Sequence, residues 1–493
     1  MNTSDLVYQD AHILAEQIRT KQLSSYELVQ AYLQRINNHN PQINAIIAML
    51  DEQEILQMAK DADEVLAKGQ PIGPLHGLPI ALKEMVQAKG WRSTFCWAAG
   101  VREPKLDFLG FNHIQQEDSI LAERIKSSGL MVIGKTNMPP FAFGSHTRNE
   151  LFGITRNPYN PGKTVGGSSG GATAALAAGF LPLADGSDLG GSLRNPAAFC
   201  NVIGFRPSIG RVPKSGSGWI ARVATEGPMA RSVKDIALFL STIAGPSTAD
   251  PLSIQESSTQ FLNTLQKDFK GIKVGWTADY GNLPVEKEVV ETCHKALDKF
   301  KDLGIEVTDQ SPTLMEKAPV NAMDVFRTLR VMALAEHTQI FHKTLGEEGI
   351  RKYLPANVQH QFLVEHQKVD AAKIYEAEIN RVRLYNLCLQ FFEDHDFLIS
   401  PSTQVLPFDV EKDYVRSING QSMNDYLEWM SISCILSITG CPVISMPCGF
   451  SENGLPVGIQ IMGKPNADFE VLQFAYAFEQ ASQVSAKYKK PSL

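Results

Sequence analysis

Two short stretches hold the residues best suited to do chemistry. Val165-Gly166-Gly167-Ser168-Ser169-Gly170-Gly171 and Gly186-Ser187-Asp188-Leu189-Gly190-Gly191-Ser192-Leu193-Arg194 set serines among closely spaced glycines. A glycine backbone can approach a ligand closely and turn several N–H groups toward one point. A serine in such a loop is a candidate nucleophile beside an oxyanion hole. Flexible linkers share this composition. Here, however, the first stretch runs into the small-residue segment from Ala172 to Ala178, and the second follows the apolar Leu181 to Ala184. A linker would not be locked between core elements.

A serine nucleophile needs a base. His337, His342, His360, His366 and His395 lie downstream, and a histidine triad would describe an esterase. A buried lysine is the alternative, because desolvation disfavours its charged form and leaves a neutral amine to accept a proton. Lys83 closes the apolar run Leu78 to Leu82, and Lys135 closes a similar run, Leu130 to Ile133 with Gly134. Spacing alone leaves both open. Two other motifs fail on context. Gly162-Lys163-Thr164 resembles the end of a phosphate-binding loop, but Asn157 stands where its first glycine belongs. Gly166-Gly167-Ser168-Ser169-Gly170 satisfies the hydrolase-elbow pattern, yet Asn157 to Gly162 precedes it instead of a strand.

The elements that must position these residues alternate. Helices are predicted over the first 70 residues, with Ser24 to Glu27 as a capping box, Leu28, Val29, Tyr32, Leu33 and Ile36 on one face, and a further helix from Asp51 to Leu66. Pro71-Ile72-Gly73-Pro74 breaks the pattern before a strand at Leu78 to Lys83. Helices and strands then alternate to about residue 308, interrupted by a polar loop from Arg148 to Thr164. Residues 320 to 395 read as helical and show no cluster with chemistry; strands return at Phe397 to Pro401, Val443 to Pro447 and Val457 to Met462. The pattern predicts one α/β domain with a largely parallel or mixed sheet.

Composition removes whole classes. Lys+Arg of 46 against Asp+Glu of 53 gives a net charge of −7, and no long basic run marks a nucleic-acid surface. Seven cysteines, an odd number without a Cys-x-x-Cys pair, exclude a disulfide framework or zinc finger and point to a reducing compartment. Trp429 to Phe450 carries no charge, but its glycine, prolines and serines suit a buried helix followed by a buried strand, not a membrane span. Met1 to Asp5 begins no basic-then-apolar pattern, so a cytoplasmic protein is expected.

In its motifs the chain resembles the amidase signature family, hydrolases of carboxamides. The matching pieces are Gly77 to Lys83, Gly134 to Pro139, Gly166 to Gly171, Gly186 to Cys200, Gly227 to Arg231 and Gly454 to Gly458, in order along nearly the whole chain. The resemblance implies a single amidase domain over 1–493, with a central mixed β-sheet covered by helices on both faces: N-terminal helices 1–70, the signature core 71–245, a variable, mostly helical substrate-side region 246–400, and a return to the sheet over 401–493. It implies a Ser-Ser-Lys triad with Ser192 as nucleophile, Ser168 as bridging serine and Lys83 as base. The family's serines lie 24 apart, and 192 − 168 = 24 selects Ser168 over Ser169. A cis peptide at Gly167–Ser168 is implied too. Backbone N–H groups of Leu189, Gly190, Gly191 and Ser192 would form the oxyanion hole, Asp188, Arg194 and Ser169 would support the loops, and Ala142 would border the substrate.

The resemblance implies a carboxamide cleaved to a carboxylate and ammonia or an amine through a serine acyl-enzyme, with a small-molecule amide as partner and no metal, organic cofactor, nucleic acid or membrane. A homodimer is left open. A second reading is the A subunit of a tRNA-dependent amidotransferase, and the esterase is a third. The chain departs from the family pattern at Glu84, where Asp is usual, at Pro140, at Asn195, and in the aromatic segment Trp91 to Trp97 with its extension to Gln116. Trp91, Phe95 and Trp97 suggest an apolar or aryl group in the pocket; the substrate itself is left open.

Overall fold

Local sequence sets the first helices as the pattern predicts. Ser24 caps the helix Ser25–Ile43: its hydroxyl accepts from the Glu27 amide at 3.1 Å while the Glu27 carboxylate accepts from the Ser24 amide at 3.0 Å. Leu28, Val29, Tyr32, Leu33 and Ile36 are its buried face. Asp51 caps the next helix, Glu52–Ala67. The computed structural model describes residues 3–70, 72–214, 223–315 and 320–493. Of the predicted break at 71–74, Pro71 lies outside the described residues.

Eleven strands build the two sheets that matter to the site. In chain order they are β1 (Ile46–Met49), β2 (Pro79–Lys83), β3 (Met131–Thr136), β4 (Leu183–Asp188), β5 (Ile203–Arg206), β6 (Thr225–Ala230), β7 (Lys273–Trp276), β8 (Glu306–Thr308), β9 (Phe397–Pro401), β10 (Val443–Phe450) and β11 (Pro456–Met462). Among the described residues the central sheet has eight strands in the order β4-β6-β5-β10-β11-β9-β7-β8. β7 runs parallel to β8 and β9, and the other pairs are antiparallel, so the sheet is mixed as predicted. Every residue of β9 and β11 is buried. Side chains alternate across a strand, so burial throughout means that both faces are covered.

The structure departs from the sequence pattern in four places. The first 70 residues, predicted as helices, include strand β1 at Ile46–Met49, which pairs antiparallel with β3. β2, which ends at Lys83, belongs to a separate three-stranded sheet ordered β1-β3-β2. The segment from Arg148 to Thr164, predicted as a loop, forms two small hairpins, Arg148–Asn149 with Gly153–Ile154 and Arg156–Asn157 with Asn160–Thr164. Asparagine turns build them: Asn149 accepts from the Leu151 and Phe152 amides, Asn157 from Tyr159, and Asn160 from Gly162. A short helix, Arg194–Phe199, follows the second serine loop.

The uncharged segment from Trp429 resolves into the buried helix Ser431–Ser437 and strand β10. Among the described residues no helix is long and apolar enough to cross a membrane. The seven cysteines are free and buried.

Candidate active site

Register decides which lysine meets the serines. β2 and β3 are parallel neighbours, with Leu82 opposite Lys135 and Lys83 opposite Thr136. A one-residue offset puts the two lysines on opposite faces of the small sheet. The Lys135 amine turns to the carbonyls of Glu84 (3.2 Å) and Val86 (2.6 Å), fixing the chain just beyond β2. Lys83 points the other way. Its Nζ lies 2.8 Å from Ser168 Oγ, 3.0 Å from Ser169 Oγ and 2.9 Å from Ser187 Oγ.

Lys83 is 1 % exposed. Burial strips the ammonium of water and lowers its pKa to about 7, against the opposing pull of Asp185 and Asp188. The Lys83 amide donates to Asp185 Oδ1 at 3.0 Å, tying β2 to β4 and so one sheet to the other. Burial raises the Asp185 carboxyl to about 6, with that amide and the nearby lysines acting against it. Lys135 is also drawn down by burial, to about 8, so what separates the two lysines is orientation rather than basicity.

Ser168 follows a cis peptide from Gly167. The Gly167 carbonyl accepts from the Ser145 hydroxyl at 2.9 Å, and the Ser169 amide donates to the Ser192 carbonyl at 3.4 Å, so the two serine loops lie against each other. Ser192 is partly exposed and lines a cavity together with Ser168, Ser187 and Ala142. Among the described residues no hydrogen bond joins the Ser168 and Ser192 hydroxyls. Such contacts are often loose without substrate and tighten when it binds.

Asp188, at the end of β4, organises the second loop. Its buried carboxylate accepts from Arg194 Nε (3.0 Å) and Nη2 (3.1 Å), Arg206 Nη1 (3.1 Å), the Gly191 amide (2.8 Å) and the Leu193 amide (3.1 Å). Burial alone would raise its pKa; Arg194 and Arg206 outweigh that and hold it well below the usual carboxylate range. Gly191 has φ +119°, and a Cβ there would fall 2.3 Å from Ser433 Oγ. Of the four amides expected to face an oxyanion, that of Gly191 is therefore engaged by Asp188. The amides of Leu189, Gly190 and Ser192 enter none of the hydrogen bonds found among the described residues.

The cavity has a volume of about 210 Å³ and a largely apolar wall that includes the aromatic rings of Phe95, Phe141, Phe143, Phe326 and Phe362. Phe95 lines it as the sequence suggested. Trp97 does not: it is buried in a side cluster with Phe111 and Phe341, its indole donating to the Tyr353 carbonyl at 2.7 Å. Trp91 packs against the main core. The departure at Glu84 is buried too, and it accepts from the Thr94 hydroxyl at 2.6 Å. Asn195, also buried, donates to the Ser145 hydroxyl.

Of the five candidate histidines, His337 alone lines the cavity, and its ring stacks on Phe111 instead of bonding a serine. His342, His360 and His395 contact Phe362, Glu365 and Thr308. Ser187 lay in the second glycine-serine stretch without being singled out within it, and nothing in the sequence pattern pointed to Arg330 at this cavity. Among the described residues one group, Asp10, His12 and Asp235, is of metal-ligating type, and none of the three lines the cavity. Its carboxylates already hold Lys487 and the amides of Ala11 and His12.

The family model for amidases matches residues 27–472, and the chain belongs to that family. It is 31% identical over 481 residues to an acylamidase of Rhodococcus erythropolis, covering 97% of this chain and 96% of that protein. It is 33% identical to the A subunit of the glutamyl-tRNA(Gln) amidotransferase of Alkaliphilus metalliredigens, covering 93% of this chain and 94% of that protein. Among solved structures it is similar to a bacterial aryl acylamidase of the amidase signature family, with a TM-score of 0.87 and 28% identity over 98% of each chain.

Proposed function

We propose that this amidase cleaves its carboxamide through an acyl-enzyme on Ser192, with Ser168 as proton relay and Lys83 as base. The observation that carries it is the buried Lys83 amine 2.8 Å from the hydroxyl of Ser168, a residue lining the same cavity as Ser192. With a pKa near 7, a large share of the amine is neutral at neutral pH. It accepts the Ser168 proton as Ser168 takes the proton of Ser192, and Ser192 Oγ bonds to the amide carbon. The amides of Leu189, Gly190 and Ser192 receive the oxyanion, each such donor contributing about 3 kcal/mol. As the C–N bond breaks, Ser168 returns a proton to the leaving nitrogen. Water then attacks the ester carbon by the same relay in reverse and frees the carboxylate.

The aromatic wall and the likeness to an aryl acylamidase support an aryl or other apolar group on the amide. The likeness to amidotransferase A subunits favours a second reading, the A subunit of a tRNA-dependent amidotransferase, in which the ammonia passes to a partner. The discriminating experiment is turnover of simple aliphatic and aryl amides by the purified single chain without ATP. Ser192→Ala should abolish it while leaving thermal stability intact. Acyl-enzyme formation in that variant would overturn the nucleophile assignment.

A further inference from the structure

The helix Ala322–Ala333 brings Arg330 to the cavity wall, which Lys214 also lines. Arg330 is 6 % exposed. Its guanidinium lies 5.0 Å from the ring centre of Phe143 and 5.6 Å from that of Tyr426, and it donates to Gln361 Oε1 and the Tyr426 hydroxyl. All of these partners are neutral. The neighbouring Arg327 pairs with Asp425. Among the described residues no carboxylate does the same for Arg330 or Lys214, and no aspartate or glutamate lines the cavity.

The other deeply buried arginines are compensated. Arg194 and Arg206 face Asp188, Arg211 faces Asp468, and Arg231 donates to the four carbonyls of Leu176, Leu181, Val7 and Gln9. Arg330 has two neutral acceptors for a side chain with five N–H donors. An aromatic face recovers less for a cation than its desolvation costs. A planar carboxylate in the cavity would meet the guanidinium fork with two parallel hydrogen bonds.

We propose that the substrate carries, besides the amide to be cleaved, a carboxylate that Arg330 receives, with the Lys214 charge adding to its attraction. This rests on the hydrolase function proposed above for the same cavity. The test measures binding apart from turnover. In the Ser192→Ala background, calorimetry compares glutaric acid monoanilide with the uncharged pentananilide. The acid should bind about ten- to hundredfold more tightly, the range of a hydrogen bond to a charged group. Adding Arg330→Gln should erase that ratio, and Arg330→Lys should keep part of it. Equal affinities, no binding of the acid, or an Arg330→Gln variant that weakens both ligands by one factor would overturn the proposal. Should Arg330→Gln fail to fold, the ratio in Ser192→Ala alone decides. Turnover by the unmodified enzyme separates the two claims. A preference for the acid without hydrolysis of any amide sinks the hydrolase assignment, and hydrolysis without the preference sinks the carboxylate site alone.

Discussion

Replacing Asp188 by Asn should damage stability and activity together, because one carboxylate both balances two buried arginines and fixes the second serine loop. All five of its donors point inward, and the arginines it faces are fully buried. An asparagine of the same shape leaves two guanidinium groups without a counter-charge and turns its own NH₂ toward N–H donors. Removing one partner of a buried ion pair costs about 3–5 kcal/mol. At about 2.1 cal/mol/K of unfolding entropy per residue, a chain of 493 residues converts that into a Tm lowered by about 3–5 °C. The carboxylate pKa is depressed in the folded protein, so its contribution is present above the ordinary value near 4 and is lost as pH falls through the folded value. The Tm gap should thus be constant from neutral pH down to about 4 and close only below it. Thermal unfolding at several pH values reads the first effect, and kcat/KM on an anilide, expected to fall by about a hundredfold or more, reads the second. A variant melting within about 1 °C of the parent, with activity within a factor of two, would refute the role given to Asp188.

Lys83→Met should abolish amide turnover. Lys135→Met, whose amine holds the Glu84 and Val86 carbonyls rather than a serine, should lower stability with a smaller loss of kcat; the opposite ranking in steady-state kinetics would move the base to Lys135. Gly191→Ala should cost about a hundredfold or more in kcat, since a side chain at φ +119° drives into Ser433 Oγ and displaces the neighbouring amides. A kinetically normal Gly191→Ala would show that those amides do not receive the oxyanion.

The two serine loops of the candidate site were legible because glycine-serine stretches have few other uses between core elements, while the roles within them came from the family resemblance. The alternation of apolar runs likewise gave the α/β class and the strand ending at Lys83, whereas a mixed rather than parallel sheet followed only from the family resemblance. The choice between Lys83 and Lys135 was not legible from the residues, because both close apolar runs and differ only in pairing register across β2 and β3. Register is a tertiary property. Arg330 was hidden for a related reason: on its helix it sits beside Phe326 and Leu329, and periodicity cannot tell a charge entering a cavity from one reaching past the core edge to water. Trp97 shows the converse error. An aromatic cluster near the motifs suggested a pocket, yet this indole closes a side core with Phe341, from the helix Ala335–Tyr353 some 240 residues on, a contact no local pattern reveals.

The central claim is that a desolvated Lys83 amine draws a proton through Ser168 from Ser192. The pH dependence of Ser192 acylation, followed in single-turnover experiments with an activated anilide, tests it most directly. Only the neutral amine can act as base, so the acylation rate should rise about tenfold per pH unit on the acid side and level off above a midpoint near 7, the value burial imposes on Lys83. A rate that stays flat from pH 5 to 9, or that keeps the same midpoint in Lys83→Met, would contradict the account.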